Sequence, residues 1–382
     1  VLNLISEPMK VSIIVGGKFH AFNLAQQINK KYFLNQIITS YPKYKLKKYG
    51  INRNRITSII LKEILLKLFN KLSFINYIFD YNYLLCQYFD YKASKNINYE
   101  NTDILVGWSG FSKICFTRAK KYNCIKILER GSSHIKFQKE ILIQEYNNLG
   151  IRPNVPSEKM ISKEIEEYDL ADFICVPSQY VKESFIKYGI KEDKIIKVPY
   201  GVDLKEFHLI KDEKKKDNKF RIISVGSISI RKGSHYLLEA FLNLNLPNSE
   251  LILVGDVSPE FQKIKKKYSH ITNIKFVKKQ KQEVLKYYYN NSDVFVLCSI
   301  EEGLAMVQAQ AMACGLPVIC TTNTGGSEIV DDDISGYIIP IRNIEILKDK
   351  IKILYNDRDK LEEMSKCAHA KANNNLSWEN YG

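Results

Sequence analysis

Residues 299–328 read Ser-Ile-Glu-Glu-Gly-Leu-Ala-Met-Val-Gln-Ala-Gln-Ala-Met-Ala-Cys-Gly-Leu-Pro-Val-Ile-Cys-Thr-Thr-Asn-Thr-Gly-Gly-Ser-Glu. An apolar strand is predicted just before this stretch, at 294–297. Small residues then predict a helix from about Val307 to Ala313, which Gly315 ends. A second apolar strand follows at Val318–Cys320. This order of strand, glycine turn, helix and strand is typical of an α/β domain with a parallel sheet.

The turn before this helix favours a ligand that carries both phosphate and hydroxyl groups. The first N–H groups of a helix lack partners inside the helix, and the helix dipole adds to their attraction for an anion. Glu302 lies just before the helix, where its carboxylate can accept hydrogen bonds from sugar hydroxyls. Gln310 lies about two turns further along and can bond a pair of hydroxyls. The stretch therefore predicts a site for a nucleotide sugar.

The same residues resemble the donor-binding signature of the retaining family 4 glycosyltransferases. That signature is Glu-Gly-Phe-Gly…Glu-Ala-Met-Ala-x-Gly-x-Pro-Val, in which seven residues separate the two glutamates. Here Glu302 takes the first acidic position and Gln310 the second, and Leu304 and Ala305 replace Phe-Gly. In the family the second acid usually holds the nucleotide ribose, and glutamine can bond a diol without carrying charge. The alternative from the residues alone is an ordinary strand-turn-helix unit.

The resemblance extends over most of the chain and implies the GT-B fold. This fold has two Rossmann-like α/β domains that face each other across a cleft, each a parallel sheet flanked by helices. We expect an N-terminal acceptor-binding domain at 1–199 and a C-terminal nucleotide-sugar domain at 200–366. Residues 367–382 are expected to begin a helix that returns to the first domain. The segment 198–203, Val-Pro-Tyr-Gly-Val-Asp, resembles the opening of the second domain, with Tyr200 where asparagine is usual.

A basic pair at the start of a predicted helix is expected to bind the donor diphosphate. Lys232 matches a lysine of the family, and Arg231 precedes it, while Ser227 stands where the family usually has an arginine. A solvated charge pair is the other interpretation. Cations at a helix start oppose the helix dipole, which favours a bound anion as their reason.

The remaining donor residues are implied by the family pattern of glycine turns and the start of the helix near Val307. The complete set expected to bind the donor is Gly16, Gly17, Arg231, Gly255, Asp256, Gly303, Leu304, Ala305, Met306, Val307 and Gln310.

Polar residues at the end of a predicted strand, 125–128, are the candidates for chemistry and acceptor binding. Ligands gather at the carboxyl ends of parallel strands, and the family commonly places a histidine here, close to the transferred sugar. His134 is therefore expected to be catalytic, together with Glu302 and Lys232. Glu129 and Arg130 are expected to orient the acceptor or to pair with each other, and His20 is a further acceptor candidate.

The resemblance implies a retaining hexosyltransferase. A hexosyl unit would move from UDP- or GDP-sugar to an alcohol of a glycan or lipid-linked acceptor, in cell-surface polysaccharide biosynthesis. The acceptor would attack the donor sugar on the same face that the diphosphate leaves, and the departing diphosphate would help take the proton. The protein would then mainly position the two substrates and stabilise charge. No cofactor is expected. Asp331–Asp333 and Asp357–Asp359 each contain the Asp-x-Asp pattern that binds a metal in the other large glycosyltransferase fold, but neither follows a buried strand in the first half of the chain, where such a site would belong. We therefore expect no metal.

Two further classes of function stay open. One is a non-catalytic protein that binds sugar nucleotides, for which the missing second acid leaves room. The other is a phosphorylase or epimerase of the same architecture, which would differ in whether phosphate, water or an alcohol takes the sugar.

Composition agrees with two soluble domains. The 382 residues suffice for two cores. The eight cysteines show no zinc-like spacing, which indicates free thiols in a reducing compartment. No apolar run reaches about 18 residues, and no signal peptide pattern opens the chain, so we expect a cytoplasmic protein. The charged run 211–219 is expected to be a surface loop.

The net charge of +15 is concentrated near the N-terminus. Between residues 43 and 71 the chain has nine lysines and arginines against Glu63 alone, and 56–69 has the apolar periodicity of an amphipathic helix. Aromatic residues crowd 74–83. This combination favours docking on the anionic inner face of the cytoplasmic membrane; a core-facing helix with solvated lysines is equally consistent. No recognition motif supports binding to nucleic acid.

Overall fold

The structure is a computed structural model that describes residues 8–71, 80–210 and 217–382. It contains two parallel sheets, each flanked by helices, which confirms the predicted two-domain α/β architecture. The aromatic positions Phe74, Tyr77 and Phe79 and most of the predicted loop 211–219 lie outside the described residues.

The first domain alternates strands and helices along the chain. Its strands are β1 (Lys10–Val15), β2 (Phe33–Thr39), β3 (Ile56–Ser58), β4 (Ile104–Trp108), β5 (Ile125–Glu129), β6 (Phe173–Val176) and β7 (Ile195–Lys197). Its helices are α1 (Ala21–Lys31), α2 (Leu61–Lys71), α3 (Tyr81–Asn96), α4 (Lys113–Ala119), α5 (Ile135–Asn148), α6 (Glu158–Leu170) and α7 (Gln179–Lys187). The described strands pair in the order β3-β2-β1-β4-β5-β6-β7.

The second domain repeats this plan. Its strands are β8 (Phe220–Val225), β9 (Ser249–Val254), β10 (Ile274–Val277), β11 (Val294–Leu297), β12 (Val318–Thr321) and β13 (Gly336–Ile339). Its helices are α8 (Ser234–Leu244), α9 (Gln262–Tyr268), α10 (Gln282–Asn290), α11 (Met306–Ala313), α12 (Ile344–Asn356) and α13 (Arg358–Asn375), and α14 (Trp378–Tyr381) ends the chain. The described strands pair in the order β10-β9-β8-β11-β12-β13.

The central strands are apolar on both faces because helices cover both sides of each sheet. All four residues of β11 and all four of β12 are buried. Residues 11–15 of β1 are buried as well. Continuous apolar runs of this kind favour a parallel sheet, and the ladders between β1, β4 and β5 and between β8, β11 and β12 are all parallel.

The prediction of one helix over 56–69 is wrong. Ile56, Thr57 and Ser58 form β3 and pair with Ile37, Ile38 and Thr39 of β2. The β-branched residues at 56 and 57 suit a strand better than a helix. The helix of this region, α2, begins only at Leu61. It packs Leu65, Leu66 and Phe69 against Tyr81 and Leu85 of α3.

The C-terminal segment joins the two domains. Helix α13 is continuous from Arg358 to Asn375, so the chain does not leave the second domain at residue 367 as predicted. Val202 pairs with Ser377, and α14 then contacts α1, where Lys30 Nζ lies 3.0 Å from Glu379 Oε1.

Within the described residues, no helix has both the length and the hydrophobicity that a membrane span requires. All eight cysteines are free; six are buried, and Cys86 and Cys367 are partly exposed.

A buried carboxylate fixes the start of α4 in the first domain. Glu167 of α6 is fully buried. Its Oε1 accepts hydrogen bonds from the backbone N–H groups of Ser112 (2.8 Å) and Lys113 (3.0 Å), and its Oε2 accepts one from Gly110. These donors would be unpaired in the interior without the carboxylate, because a helix start leaves its first N–H groups free.

We therefore expect Glu167→Ala to lower the free energy of unfolding by about 3–5 kcal/mol, because three buried backbone N–H groups lose their acceptor at roughly 1–3 kcal/mol each. Glu166→Ala is the matched control, because Glu166 is the next residue of α6, half exposed, and pairs with Lys113 at the surface. It should cost at most about 1 kcal/mol. Urea unfolding of both variants measures the difference, and equal losses would contradict the capping role.

Candidate active site

The two glutamates of the turn after β11 have different environments. Glu301 is fully buried and accepts hydrogen bonds from Ser133 N (2.9 Å), Ser133 Oγ (2.8 Å) and Gln138 Nε2 (2.8 Å) of the first domain. From its own domain, Arg231 Nε lies 2.9 Å from Glu301 Oε2. Glu301 thus binds the two domains together.

Glu302 points instead toward Lys232, with which it forms an ion pair. Burial by itself raises the pKa of Glu302, but Lys232 and then Arg231 outweigh burial and hold this pKa below its ordinary value. Glu302 is therefore an ionised acceptor in the neutral pH range. The Lys232 ammonium, at the start of α8, is the cation closest to it.

Arg231 forms contacts with both domains, which its predicted role at the diphosphate does not by itself explain. Besides its contacts with Glu301, its Nη2 lies 3.1 Å from Ser132 Oγ of the first domain. Burial lowers the pKa of Arg231, but Glu301 and Glu302 overcome that effect and raise it. The guanidinium is thus part of the contact between the domains, and Lys232 is the member of the basic pair that lies at Glu302.

The turn at Gly303 lies directly against the first domain. A β-carbon on Gly303 would lie 2.1 Å from the carbonyl oxygen of Gly131, so only glycine permits this approach. Ser178 Oγ donates a hydrogen bond of 2.7 Å to the carbonyl of Gly303. The side chains of Leu304 and Ala305 are buried in the core of the second domain. Of these three predicted donor residues, only backbone groups are therefore available to a ligand.

A large cavity of about 1390 Å³ lies between the domains. On the side of the second domain, its lining consists of residues that follow β8, β9 and β10 together with one face of α10 and α11. These residues are Val225, Gly226, Ser227, Val254, Gly255, Asp256, Lys279, Gln280, Lys281, Gln282, Glu283, Leu285, Val307 and Gln310. The predicted donor residues Gly255, Asp256, Val307 and Gln310 are thus brought together at the carboxyl ends of the strands.

Gln310 has a defined orientation in this cavity. Its side chain is largely buried, and its Oε1 accepts a hydrogen bond of 3.2 Å from the hydroxyl of Tyr289. This bond leaves the two N–H donors of the Gln310 amide for a ligand. Nearby, a β-carbon on Gly255 would lie 1.6 Å from the carbonyl oxygen of Gly226, so the two strand ends come into close contact.

Gly16 and Gly17 lie beside the cavity and are not part of its described lining. Lys62 Nζ donates to the carbonyl of Gly16 at 2.8 Å, and Thr39 Oγ1 donates to that of Gly17 at 3.0 Å. The next residue, Lys18, does line the cavity. The predicted close approach of a ligand to the glycine pair is replaced by contacts within the first domain.

The expectation that His134 lies near the transferred sugar is wrong. Its ring stacks on Tyr188 at a centroid distance of 4.5 Å and meets Phe185 edge-on at 5.1 Å. Its Nδ1 accepts a hydrogen bond from the backbone N–H of Lys136, which caps α5. Burial, and then Arg130 and Lys136, lower the pKa of His134 to about 3. His134 is thus a neutral capping residue inside the first domain.

The acceptor candidates Glu129 and His20 pair with each other. His20 Nε2 lies 3.2 Å from Glu129 Oε2, and both side chains are buried. The ring of His20 lies 4.2 Å from that of Tyr200 and 5.8 Å from that of Tyr381. The pair therefore supports the junction with the C-terminal segment.

Arg130 does not pair with Glu129. Its Nη1 lies 2.7 Å from Glu164 Oε2, and its Nε and Nη2 donate to the carbonyl oxygen of Ser133 at 3.1 and 3.0 Å. It fixes the loop that carries Ser132 and Ser133, and so it can affect an acceptor only through that loop.

The first aspartate cluster has cationic partners, and the second caps a helix. Asp331 pairs with Lys371, and Asp333 pairs with Lys360 at 2.8 Å. Asp357 caps α13 by accepting a hydrogen bond from the backbone of Lys360. Among the described residues, no group of three or more histidine, cysteine or acidic side chains is arranged to hold a metal ion.

The amino-acid sequence alone does not reveal the role of Glu301 or the first-domain lining of the cavity. That lining is Lys18, Phe22, Tyr41, Tyr44, Lys45, Lys47, Lys48 and Tyr49. The excess of basic residues after position 43 was the available signal, but it was assigned to a membrane surface. Only the pairing of β1 and β2 shows that these lysines follow a strand end on the cleft side.

Comparison with known proteins agrees with the fold. The family described as glycosyl transferases group 1 matches residues 206–371. The spore coat protein SA of Bacillus subtilis is 28% identical over 234 residues, which cover 54% of this chain and 61% of that protein. The capsular polysaccharide biosynthesis glycosyltransferase CapM of Staphylococcus aureus is 26% identical, over 57% of this chain and 60% of that protein. The chain thus spans about three fifths of the length of these relatives.

A solved structure extends the similarity to both domains. The crystal structure of Anabaena HepE in complex with UDP superposes with a TM-score of 0.69 at 16% identity, and the match covers 98% of this chain and 97% of that one. This likeness establishes the GT-B fold. Residues 206–371, which contain the Glu302 turn, Lys232 and Gln310, therefore match the glycosyl transferases group 1 family and lie in the second domain of a GT-B fold.

Proposed function

We propose that this protein transfers a hexosyl unit from a nucleotide-diphosphate sugar to an alcohol on a glycan or lipid-linked acceptor. The observation that carries the proposal is the cavity at the strand ends of the second domain, whose lining residues Val225, Gly226 and Ser227 also border a small pocket lined by Lys232. A pocket with a few convergent polar groups at such strand ends is the usual place for a ligand in this kind of fold.

The donor would lie along the second domain. Gln310 offers its amide N–H groups to the ribose, and the start of α11 and Lys232 face the diphosphate. Lys232 would exchange its contact with Glu302 for the phosphates, which frees the Glu302 carboxylate to accept hydrogen bonds from sugar hydroxyls. UDP or GDP fits this arrangement, and the UDP complex of HepE supports UDP.

The chemistry would consist mainly of charge stabilisation. As the bond between sugar and diphosphate breaks, negative charge grows on the diphosphate, where Lys232 and the N–H groups at the start of α11 stabilise it. We propose that the acceptor attacks the same face and gives its proton to the leaving diphosphate, with retention of configuration. His134 has no part in this scheme because its ring packs against Tyr188 and it is not among the lining residues of the cavity.

The pathway we propose is the synthesis of cell-surface polysaccharide in the cytoplasm, which the name of CapM supports. Two alternatives are distinguished by their products. A phosphorylase would release sugar phosphate when supplied with inorganic phosphate, and an epimerase would change the sugar without an acceptor. A non-catalytic binder would form no product at all.

The first prediction concerns Lys232, which we propose neutralises the diphosphate without a metal or other cofactor. Lys232→Ala should weaken UDP binding by about 1.5–3 kcal/mol, the worth of a hydrogen bond to a charged group, and leave uridine binding nearly unchanged. Calorimetry in excess chelator measures both. Lys348→Ala, at a surface lysine that pairs with Glu345, is the control. Unchanged UDP affinity in Lys232→Ala, or UDP binding that requires added magnesium, would contradict this role.

The second prediction concerns Gln310. Gln310→Ala should weaken binding of uridine and UDP alike by roughly 0.5–1.5 kcal/mol, because one ordinary hydrogen bond to the ribose is lost. Gln310→Glu restores the family's usual acid, and Tyr289 can still donate to it, so binding should be retained. Tyr289→Phe should have a smaller effect, since it removes only the bond that orients Gln310. The ribose role is refuted if Gln310→Ala binds like the parent while Gln310→Glu does not bind.

We also propose that the first domain docks on an anionic membrane surface through α2. The outer face of this helix exposes Leu61, Ile64 and Leu68, which are 48%, 56% and 50% exposed. The basic side chain of Lys67 lies beside them. Apolar side chains next to a cation are typical of helices that lie in the membrane interface. This surface would place the cleft close to a lipid-linked acceptor.

The third prediction tests this docking. Ile64→Ser combined with Leu68→Ser should reduce binding to vesicles that contain phosphatidylglycerol by about tenfold or more, because two apolar side chains no longer enter the interface. Ile186→Ser, at an exposed isoleucine of α7, is the control and should bind like the parent. Vesicle co-sedimentation is the measurement. Equal binding by all three proteins would exclude α2 as the docking surface.

A further inference from the structure

The cavity between the domains has a strongly basic lining to which both domains contribute. In the described part of the chain, six lysines line it: Lys18, Lys45, Lys47, Lys48, Lys279 and Lys281. The acidic residues of the same lining are Asp256 and Glu283. Lys232, which we assign to the donor diphosphate, is not among the lining residues of this cavity.

Three of these lysines lie on a short, well-anchored element. The 3₁₀ helix Lys43–Tyr49 follows β2 and is held by the buried side chains of Leu46 and Tyr49. Lys45, Lys47 and Lys48, which are adjacent to these anchors in sequence, are exposed. Fixed in this way, they face the cavity together with Lys18, which follows the end of β1.

The lysines lack compensating charges. Over residues 8–71, 80–210 and 217–382, none of the six forms an ion pair with a carboxylate. Burial lowers the pKa of Lys18, and the nearby ammonium groups of Lys48, Lys279 and Lys45 lower it further. Like charges at close range destabilise one another, so the cluster gains most from a ligand that brings negative charge.

We propose that the acceptor is an anionic saccharide, whose phosphate or carboxylate group binds between Lys18, Lys45 and Lys48 of the first domain and Lys279 of the second. This inference rests on the proposed function and adds the chemical class of the acceptor. The aromatic rings of Tyr41 and Tyr44 lie among the same lysines and offer apolar faces to sugar rings.

The donor's own diphosphate is a less suitable occupant. A nucleotide sugar carries one diphosphate, and the start of α11 with Lys232 already receives it in the proposed arrangement. A flat bilayer is also less suitable, because a surface cannot enter a cavity between two domains, whereas single charged groups on a saccharide chain can. The following experiment distinguishes the donor diphosphate and a bilayer from the proposed saccharide.

The test measures binding of three probes to the full chain with the donor site saturated by UDP. The probes are tetragalacturonate, which carries a carboxylate on every sugar, maltotetraose, which is neutral, and inorganic tripolyphosphate. We expect both anions to bind, maltotetraose to bind about tenfold more weakly than tetragalacturonate, and anion binding to weaken as salt is raised. Lys45→Ser with Lys48→Ser should weaken anion binding by about tenfold or more, with UDP affinity unchanged.

Two matched variants complete the design. Lys45→Arg with Lys48→Arg retains the charge and should retain anion binding. Lys43→Ser with Lys120→Ser removes two exposed first-domain lysines that are outside the cavity lining, and it should bind like the parent. If this pair weakens anion binding as much as the cavity pair does, the effect is one of net charge and the proposed site is refuted.

Three other results would overturn the inference. The first is failure of both anions to bind. The second is a loss of UDP affinity in Lys45→Ser with Lys48→Ser that equals the loss of anion affinity, which would assign the cluster to the donor. The third is binding of phosphatidylglycerol vesicles without any binding of the anionic probes. Failure of the proposed function is recognised separately, because it appears as unchanged UDP binding in Lys232→Ala.

Discussion

The buried carboxylate of Glu301 is the interaction on which the geometry of the site depends. A carboxylate with no solvent exposure is stable only when it is fully paired, and Glu301 obtains its partners from Ser133 and Gln138 in one domain and Arg231 in the other. These bonds hold the turn of the second domain against the loop of the first, where Gly303 contacts Gly131. The next residue, Glu302, is positioned as a consequence.

Glu301 and Glu302 therefore have the same side-chain chemistry but different roles, because their surroundings differ. Glu301 faces four hydrogen-bond donors from both domains and is inaccessible to a ligand. Glu302 lies beside the flexible ammonium group of Lys232, and the Arg231 guanidinium is 3.8 Å away. In the proposed function, Lys232 moves to a phosphate while Arg231 stays beside Glu302. The site is thus built from one fixed ion pair beside one that can be exchanged.

The sequence predicted what local patterns determine. Apolar runs such as 294–297 identified the strands of both sheets, and the glycine turns located the strand ends that line the cavity. It failed at His134, because the direction in which a side chain leaves a loop depends on packing with Tyr188, which is distant in the chain. It also did not reveal the contacts of Arg231 with Glu301 and Ser132 or the position of the cleft lysines, because these depend on contacts between the two domains. Ile56 was misassigned because a short edge strand and a helix share the same apolar residues.

The distribution of contacts between the domains has a consequence for when the cleft can close. Glu301 and Gly303 hold the domains together near the loop that follows β5, while Lys18, Lys45 and Lys48 face Lys279 across open space. Any rotation that narrows this space brings like charges together, so an empty cleft resists closing. The anionic acceptor that we propose would cancel that repulsion, so water would be excluded around the reacting sugar only after this acceptor has entered. The charges proposed to select the acceptor would then also suppress wasteful hydrolysis of the donor.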